Sequence, residues 1–548
     1  MTWPKYHSLR KLIQLFTVVT LLALSSQFIL LTCSRMKICY NVKRDGQNLN
    51  NPGEKEVEKI FRILSMHEWQ NESRKIKREG KYYKGTNEFC PEWTKELDWN
   101  GPTITPLMQL DPTRIIYPAN RNGPSDELIS LQEAIFIGME TNRTVVIPPF
   151  KPHPSDKDSN YDISLPASLR VDLKILSRLV SLTTVDKMQQ LCNSSFDIGF
   201  EESGATCLFR KFLKETSGMS LNSSHKHLFG KDGFSNLTFF KNNSCDPPSL
   251  PVRKIPFRKF SVFLRNVKDQ FKSDMPCAVL INTHKNPSKL LRNPNKNILK
   301  KAMTDLSSVT QEDISDANCE TKYKLIEVFT RKPRFVRELA SEFIREVMKK
   351  QEYLALHWRY NFEFRCRSRF NFCPELKTVE TSNISKAILF AGRNFKVQQG
   401  IKNLSTHCQS PEIVNFYLAT AATDYETIKH QTENANFQKE FFQKIAKNKG
   451  DKEDLEYYMD QRCWKIQLFT KLDLYRFISS KYPEQKCSAI WRDTHELISL
   501  VENELCKQSV VFIHSPKSVW SEIARQTRTI NLSIWDVFSE INKLMNTV

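Results

Sequence analysis

The chain is 548 residues long, room for several ordinary domains, and its 26% charged and 40% apolar residues imply a folded, soluble body for most of it. Lys plus Arg reach 81 against 61 Asp plus Glu, a net charge of +20. The basic residues are spread along the chain, and no helix-turn-helix, zinc-finger or RNA-binding signature accompanies them, so no nucleic-acid partner is expected. Such an excess suits a protein that handles phosphates or lies near acidic glycans, and equally a plain solvated surface.

The first element is the uncharged run from Leu12 to Cys33, flanked by Arg10 and Lys11 on one side and Arg35 and Lys37 on the other. It is long enough to cross a bilayer as a helix. Ala23, Ser25 and Ser26 leave cleavage open, but the run continues through Phe28-Ile29-Leu30-Leu31, beyond the apolar core of a signal peptide. The expectation is an uncleaved signal anchor with a short cytoplasmic tail and a lumenal body. The nearly balanced flanking charges support that orientation only weakly.

Two features agree with a lumenal body. The 14 cysteines form no CxxC pair and no zinc spacing, which points to disulfides, and an even number remains once Cys33 and Cys39 are set aside. Cys366 and Cys373 flank a short Arg- and Phe-rich loop and are a candidate local bridge. Asn-x-Ser/Thr sites occur at Asn71, Asn142, Asn193, Asn222, Asn236, Asn242, Asn383, Asn403 and Asn531, some of them chance matches, with a cluster from Asn193 to Asn242.

After a polar stretch with one amphipathic piece, EKEVEKIFRILSMHEWQ, the text becomes α/β. RIIYPA predicts a strand from Arg114, RNGPSDEL a turn into a helix, and TVVIPPF a β-branched strand stopped by Pro148-Pro149. This is a Rossmann-like βαβ opening. Residues 155–250 are less regular and are expected to be insertions. CAVLINT from Cys277 predicts another buried strand, and Lys285 to Lys301 a loop. Phe335 to Lys350 predicts a helix with Val336, Leu339, Phe343 and Val347 on one face. A strand from Tyr353 follows. Then come a helix about 383–398, strand 415–420, helices 425–445, 465–480 and 492–505, strand 510–514, a helix from Ser518 and a last helix 533–546. Strands alternating with helices imply a parallel sheet, and two such halves with a boundary near 285–335 fit the length.

The stretch YLALHWRYNFEF, Tyr353 to Phe364, opens as a strand buried on both faces and then alternates His357, Arg359, Asn361 and Glu363 with aromatics. A buried strand that turns polar at its C-terminal end is where open α/β sheets place ligands. Arg359 offers a planar, permanently charged fork that fits a phosphate. An ion-paired turn joining Arg359 to Glu363 reads equally well from the pattern. A second feature is the strand 510–514 followed by Ser515-Pro516-Lys517 and a helix capped by Ser518, which offers free N–H groups to an anion with Lys517 adding charge. An ordinary capped turn is the simpler reading of that segment alone. In the first βα turn, Asp126 and Glu127 are carboxylates at a helix start, either a general base for a hydroxyl or plain capping groups. Asp156-Lys157-Asp158 has the form of a metal-binding DxD triplet but does not directly follow an apolar strand, and it is set aside. No P-loop, HExxH or GxSxG occurs.

Three blocks in order resemble the GDP-fucose protein O-fucosyltransferase family: RNGPSDELISLQEAIFIGMETNRTVVIPPF, ALHWRYNFEF as the family's HxR block, and FIHSPKSVWSEIARQTR as its C-terminal block. LATAATD, ending in Asp424, is similar to a weaker element. The resemblance spans about 114 to 528, nearly the whole lumenal part. It implies a GT-B fold, two Rossmann-like halves facing a cleft, with an inverting, metal-independent and cofactor-free transfer of fucose from GDP-fucose to a Ser or Thr hydroxyl of a folded protein domain.

Carried over, the resemblance implies that Arg359 neutralises the GDP leaving group with His357 beside it. It puts Ser518, Val519 and Trp520 on the phosphate through their backbone, and Gly123, Pro124, Glu363, Asp424 and Lys517 around the donor. Asp126 or Glu127 is the base. Where the family has Asn-Gln this chain has Asp126-Glu127, where it has Ser-Thr-Phe this chain has Ser518-Val519-Trp520, and its trailing Glu-Arg reads Thr527-Arg528. The expected organisation is a cytoplasmic tail 1–11, an anchor 12–33, a stem 34–105, an acceptor-side half 106–330 with glycosylated insertions and a nucleotide-sugar half 331–548, in the membrane of the endoplasmic reticulum or Golgi. The alternative is a catalytically inactive lumenal protein of the same fold that binds a nucleotide, a glycan or a protein partner.

Overall fold

The computed structural model describes residues 90–97, 99–119, 124–150, 165–193, 195–201, 217–219, 237–239, 251–254, 267–281, 293–349, 352–359, 373–398, 412–420, 425–446, 464–516, 518–526, 528 and 530–546. The expected anchor 12–33, the amphipathic piece of the stem, the triplet at Asp156, Cys366, and the candidate site residues Gly123, Glu363, Asp424 and Lys517 lie outside the described residues, as do the sequons Asn71, Asn222, Asn236, Asn242 and Asn403. Among the described residues no helix is long and apolar enough to cross a membrane.

Two α/β halves with parallel-stranded centres are present. The first holds β1 (Ile115–Ala119), β2 (Thr144–Val146), β3 (Leu182–Thr183), β4 (Ile198–Glu201), β5 (Leu237–Phe239), β6 (Pro251–Lys254) and β7 (Cys277–Ile281), in the order β3-β2-β1-β7-β4-β6-β5. Only the edge pair β5–β6 is antiparallel. β1 and β7 run in step from Ile115 opposite Cys277 to Ala119 opposite Ile281, every residue of both strands buried. Such unbroken burial is what strands covered on both faces show. Residues 155–250, expected to be insertions, contribute β3, β4 and β5 to this sheet. Their strands are too short for a visible period of two.

Helix α1 (Pro124–Thr141) opens with proline at its first position, where the missing N–H is no loss, and buries an apolar stripe from Leu128 through Met139 against β1. Helix α2 (Cys319–Phe329) packs on α1, with the Phe136 and Tyr323 rings edge to face. Residues 330–333 then cross to the second half.

There, helix α3 (Arg334–Phe343) precedes β8 (Leu354–Trp358); α4 (Cys373–Gln398), β9 (Glu412–Thr420), β10 (Trp464–Thr470), α5 (Lys471–Lys481), α6 (Thr494–Gln508), β11 (Val511–His514), α7 (Val519–Arg525), β12 (Asn531–Ser533) and α8 (Ile534–Asn546) follow. The sheet order is β10-β9-β8-β11-β12, and every neighbouring pair is parallel. Leu354, Leu356 and Trp358 join one core with Phe416, Leu418, Leu468 and Ile513, while Tyr353 and Ala355 join another with Tyr417, Phe469 and Phe512. Each strand thus divides its side chains between two cores by its period of two. Removing one such leucine to alanine costs about 2–5 kcal/mol.

The structure departs from the expected elements at several points. Residues 464–470, expected to begin a helix, form the edge strand β10. Ile466 and Leu468 alternate onto one core and Phe469 onto the other, and a capping box between Thr470 and Asp473 starts α5 only afterwards. The helix expected over 335–350 ends at Phe343 and passes into a π turn, Ile344–Met348, with Lys349 left-handed. Glu342 and Glu346 both reach Lys481 of α5, at 3.3 and 2.7 Å. β12 was not apparent in the sequence.

The halves are joined at several points. The segment before the first half is held to the second, where Cys90 is bonded to Cys487, 397 positions apart, and Leu97 lies in the core. Arg337 of α3 binds Asp172 of the first half at 2.7 Å. Gln132 of α1 and Gln526, which follows α7, exchange amide hydrogen bonds at 3.4 and 3.2 Å. Within the first half Cys192 is bonded to Cys277, whereas Cys319 and Cys506 carry free thiols. Of the described sequons, Asn142 and Asn193 are exposed at left-handed turn positions, and the side-chain oxygen of Asn531 is buried.

Candidate functional site

The order of the second sheet places a site before any ligand is considered. The chain leaves β8 towards β9 and β10, returns, and lays β11 against the other side of β8. The connections therefore diverge between β8 and β11, and in open α/β sheets the crevice outside the strand ends at such a point is where ligands lie. β8 delivers His357 and Arg359 to that crevice, and β11 delivers His514 and Ser515.

Ser515 binds the two strand ends together. Its hydroxyl accepts the backbone N–H of Arg359 at 2.7 Å and donates to the carbonyl of His357 at 2.7 Å. It is 3% exposed, so neither bond competes with water. With the main chain held this way, the Arg359 side chain stands exposed at the mouth. Next to it, Thr420 at the end of β9 donates its hydroxyl to the Trp358 carbonyl at 3.0 Å.

His357 is buried, with Nδ1 2.5 Å from the Ser521 hydroxyl, which also accepts the Ser515 N–H at 3.2 Å. Burial, the Arg359 guanidinium and His514 push the imidazole down to about 3, so it is neutral near pH 7. The Trp520 ring lies over it, centroids 4.1 Å apart and planes tilted by 37°. A neutral imidazole beside an exposed guanidinium leaves Arg359 as the charged member of the pair.

Ser518 caps α7, accepting the Ser521 N–H at 3.3 Å, while its own N–H meets the Ser515 carbonyl at 3.4 Å. The donors that helix geometry leaves without an intrahelical partner are then the N–H groups of Val519 and Trp520. α7 spans only Val519–Arg525, so its dipole is small, and Arg359 is the principal charge of the crevice.

Pro124, Asp126 and Glu127 start α1, which packs on α7. Glu127 is buried and ion-paired with Arg170 at 3.1 Å, the guanidinium in turn lying 5.0 Å from the Phe150 ring. Asp126 is only partly buried and lies about 9 Å of helix rise before Gln132. The structure thus groups His357, Arg359, Ser518, Val519 and Trp520, and sets Asp126 and Glu127 at the start of the neighbouring helix. Sequence reasoning named Ser515 only as a turn residue and gave Ser521 no role, because a serine in a turn or a short helix carries no pattern. It also missed His514, the last residue of a strand it did identify. Among the described residues no three His, Cys, Asp or Glu side chains converge as metal ligands.

No family model and no curated protein matches the chain. Among solved structures it is similar to POFUT1 in complex with GDP-fucose, at 9% identity and a TM-score of 0.38, covering 77% of this chain and 98% of that one. It is similar to a mutant of Arabidopsis thaliana FUT1 in complex with GDP, at 8% identity and 0.31, covering 81% and 73%. It is also similar to the fucosyltransferase NodZ from Bradyrhizobium, at 12% and 0.24, covering 75% and 92%. All three scores lie below the range in which shared architecture supports an inference about chemistry.

Proposed function

We propose that this chain is a glycosyltransferase that moves fucose from GDP-fucose to a Ser or Thr hydroxyl of a secretory-pathway protein, with inversion and without a metal. The observation that carries the reading is the pairing of exposed Arg359 with neutral, buried His357 at the point where the second sheet's connections diverge. The motif order in the sequence supplies the sugar and the acceptor class.

In this reading GDP lies across the ends of β8 and β11. The acceptor oxygen attacks the anomeric carbon on the face opposite the phosphate, its proton passes to Asp126, and the carbon–oxygen bond to the β-phosphate breaks. The negative charge that develops on GDP meets the Arg359 guanidinium, whose main chain is held in place before the reaction begins, with neutral His357 beside it. Glu127, paired with Arg170, shapes the start of α1, and Asp126 beside it, more exposed than Glu127, is the base in this reading.

The second reading, a lumenal binder without turnover, draws on Val519, where a hydroxyl is absent, and on the engagement of Glu127. Turnover separates the two. Arg359→Ala should lower GDP release from GDP-fucose by about 10²–10³-fold, the scale of one lost charge-stabilising group. Because the side chain is exposed, the melting temperature should not move. Normal transfer by the variant would refute the assignment of Arg359.

A further inference from the structure

Trp520 is held from behind by one face of α6. Its indole N–H donates to the Ser499 hydroxyl at 3.0 Å, and its main-chain carbonyl accepts the Nδ2–H of Asn503 at 2.8 Å. Ser499 and Asn503 are one helical turn apart and share a face. Ring and backbone of the residue that covers His357 are therefore fixed independently.

Asn503 is 2% exposed, and its other end faces Lys332, which is 6% exposed and donates to Oδ1. An ammonium has only donors, so it admits only the oxygen of the amide and turns the nitrogen towards Trp520. Glu504 lies 3.7 Å from the same ammonium and offsets its charge. Lys332 belongs to the crossover between the halves, not to the second sheet. The preceding residue, Arg331, accepts the Asp172 N–H at 2.9 Å through its carbonyl, and Arg337 grips both the Lys332 carbonyl, at 3.0 Å, and the Asp172 carboxylate. The crossover is thus pinned to the first half on one side and inserts its ammonium into the second on the other.

We propose that Lys332 and Asn503 are positioning residues for the crevice: Lys332 fixes the orientation of the Asn503 amide, and Asn503 with Ser499 holds Trp520 against His357. Asparagine is the side chain that meets both demands, since aspartate offers no donor to the Trp520 carbonyl and leucine serves neither partner. That the crevice takes a guanosine diphosphate rests on the preceding reading; the hold on Trp520 does not.

The test uses the full-length chain with two readouts, the calorimetric affinity for GDP and the diethyl pyrocarbonate labelling of His357 read by mass spectrometry. Asn503→Asp keeps the acceptor for Lys332 and removes the donor to Trp520. Asn415→Asp is the control, since Asn415 is equally buried and its Nδ2–H holds the Met348 carbonyl at 2.7 Å on another element. The expected result is a loss of about tenfold in GDP affinity for Asn503→Asp, the scale of a small misplacement, with labelling of His357 several-fold faster. Lys332→Met, which frees the amide to turn over, should move both readouts in the same direction and less far. Asn415→Asp should move neither, even where it melts as early. Equal labelling of His357 in Asn503→Asp and Asn415→Asp would overturn the proposal. A wild-type chain that ignores GDP would overturn the functional reading instead, and the labelling comparison would still decide the role of Asn503.

Discussion

The backbone N–H of Arg359 donates to the hydroxyl of Ser515 at 2.7 Å, and through that one buried oxygen the ends of two neighbouring strands become a single rigid edge. The same hydroxyl donates to the carbonyl of His357. The residue with the strongest chemistry in the crevice is therefore placed by its main chain, with its side chain left free for a ligand.

Ser515→Ala should expose that dependence. It leaves a buried N–H and a buried carbonyl without partners, at about 1–3 kcal/mol each. Urea denaturation should show a loss of about 2–6 kcal/mol for the two together, with weaker GDP binding. Unchanged stability would mean that the strand ends are held elsewhere.

Between about pH 4.5 and 6.5 two buried groups, His357 and Glu502, contribute opposing slopes to the pH dependence of stability. His357 is pushed down to about 3, so its contribution is present above its unfolded value of 6.5 and is lost as pH falls. Glu502, 3.2 Å from the Tyr417 hydroxyl, is pushed up to about 7 by burial, so its contribution is present below 4.5 and is lost as pH rises. Each has a slope of about 1.4 kcal/mol per pH unit, with opposite signs. Relative to the wild type, His357→Gln should tilt stability downward as pH rises through this window, and Glu502→Gln should tilt it upward. Parallel profiles for the two variants would contradict the assignment.

The Cys90–Cys487 bond closes a loop through almost the whole body. Replacing both cysteines by serine should cost about 2–5 kcal/mol in the oxidised protein, chiefly by freeing the unfolded chain. Denaturation of the double variant against the wild type checks this, and equal midpoints would show that the bond does not form.

The amide exchange between Gln132 and Gln526 joins the halves where α1 meets α7. Gln526→Leu strands the buried Gln132 and removes a donor from Glu327, which it reaches at 3.3 Å. The expected loss is about 1–3 kcal/mol, and adding Gln132→Leu should recover part of it because fewer polar groups then stay unpaired. A double variant worse than the single one would place the coupling elsewhere.

What was legible in the sequence follows from the range of each interaction. The βα opening from Ile115, the buried strand Leu354–Trp358 and the Ser518 cap are local patterns of burial and capping, and each stands where the sequence pattern placed it. β10 was misread because Trp464 to Thr470 lies directly against a helix with a strong start, and the boundary between periods of two and 3.6 is decided by which core each side chain enters. The contacts of Ser515, Ser521, Asn503 and Gln526 were invisible. A buried polar group is defined by its partner, and these partners are far away in the chain. For the same reason the ion pair that engages Glu127 could not be foreseen, since Arg170 arrives from a separate element.

The most direct test of the central claim is calorimetric titration of the full-length chain with GDP-fucose in the presence of a chelator, with GDP-mannose and UDP-sugars as controls. Binding that survives chelation, prefers GDP-fucose and disappears in Arg359→Ala is the predicted result. A well-folded chain that binds none of these nucleotide sugars would contradict it.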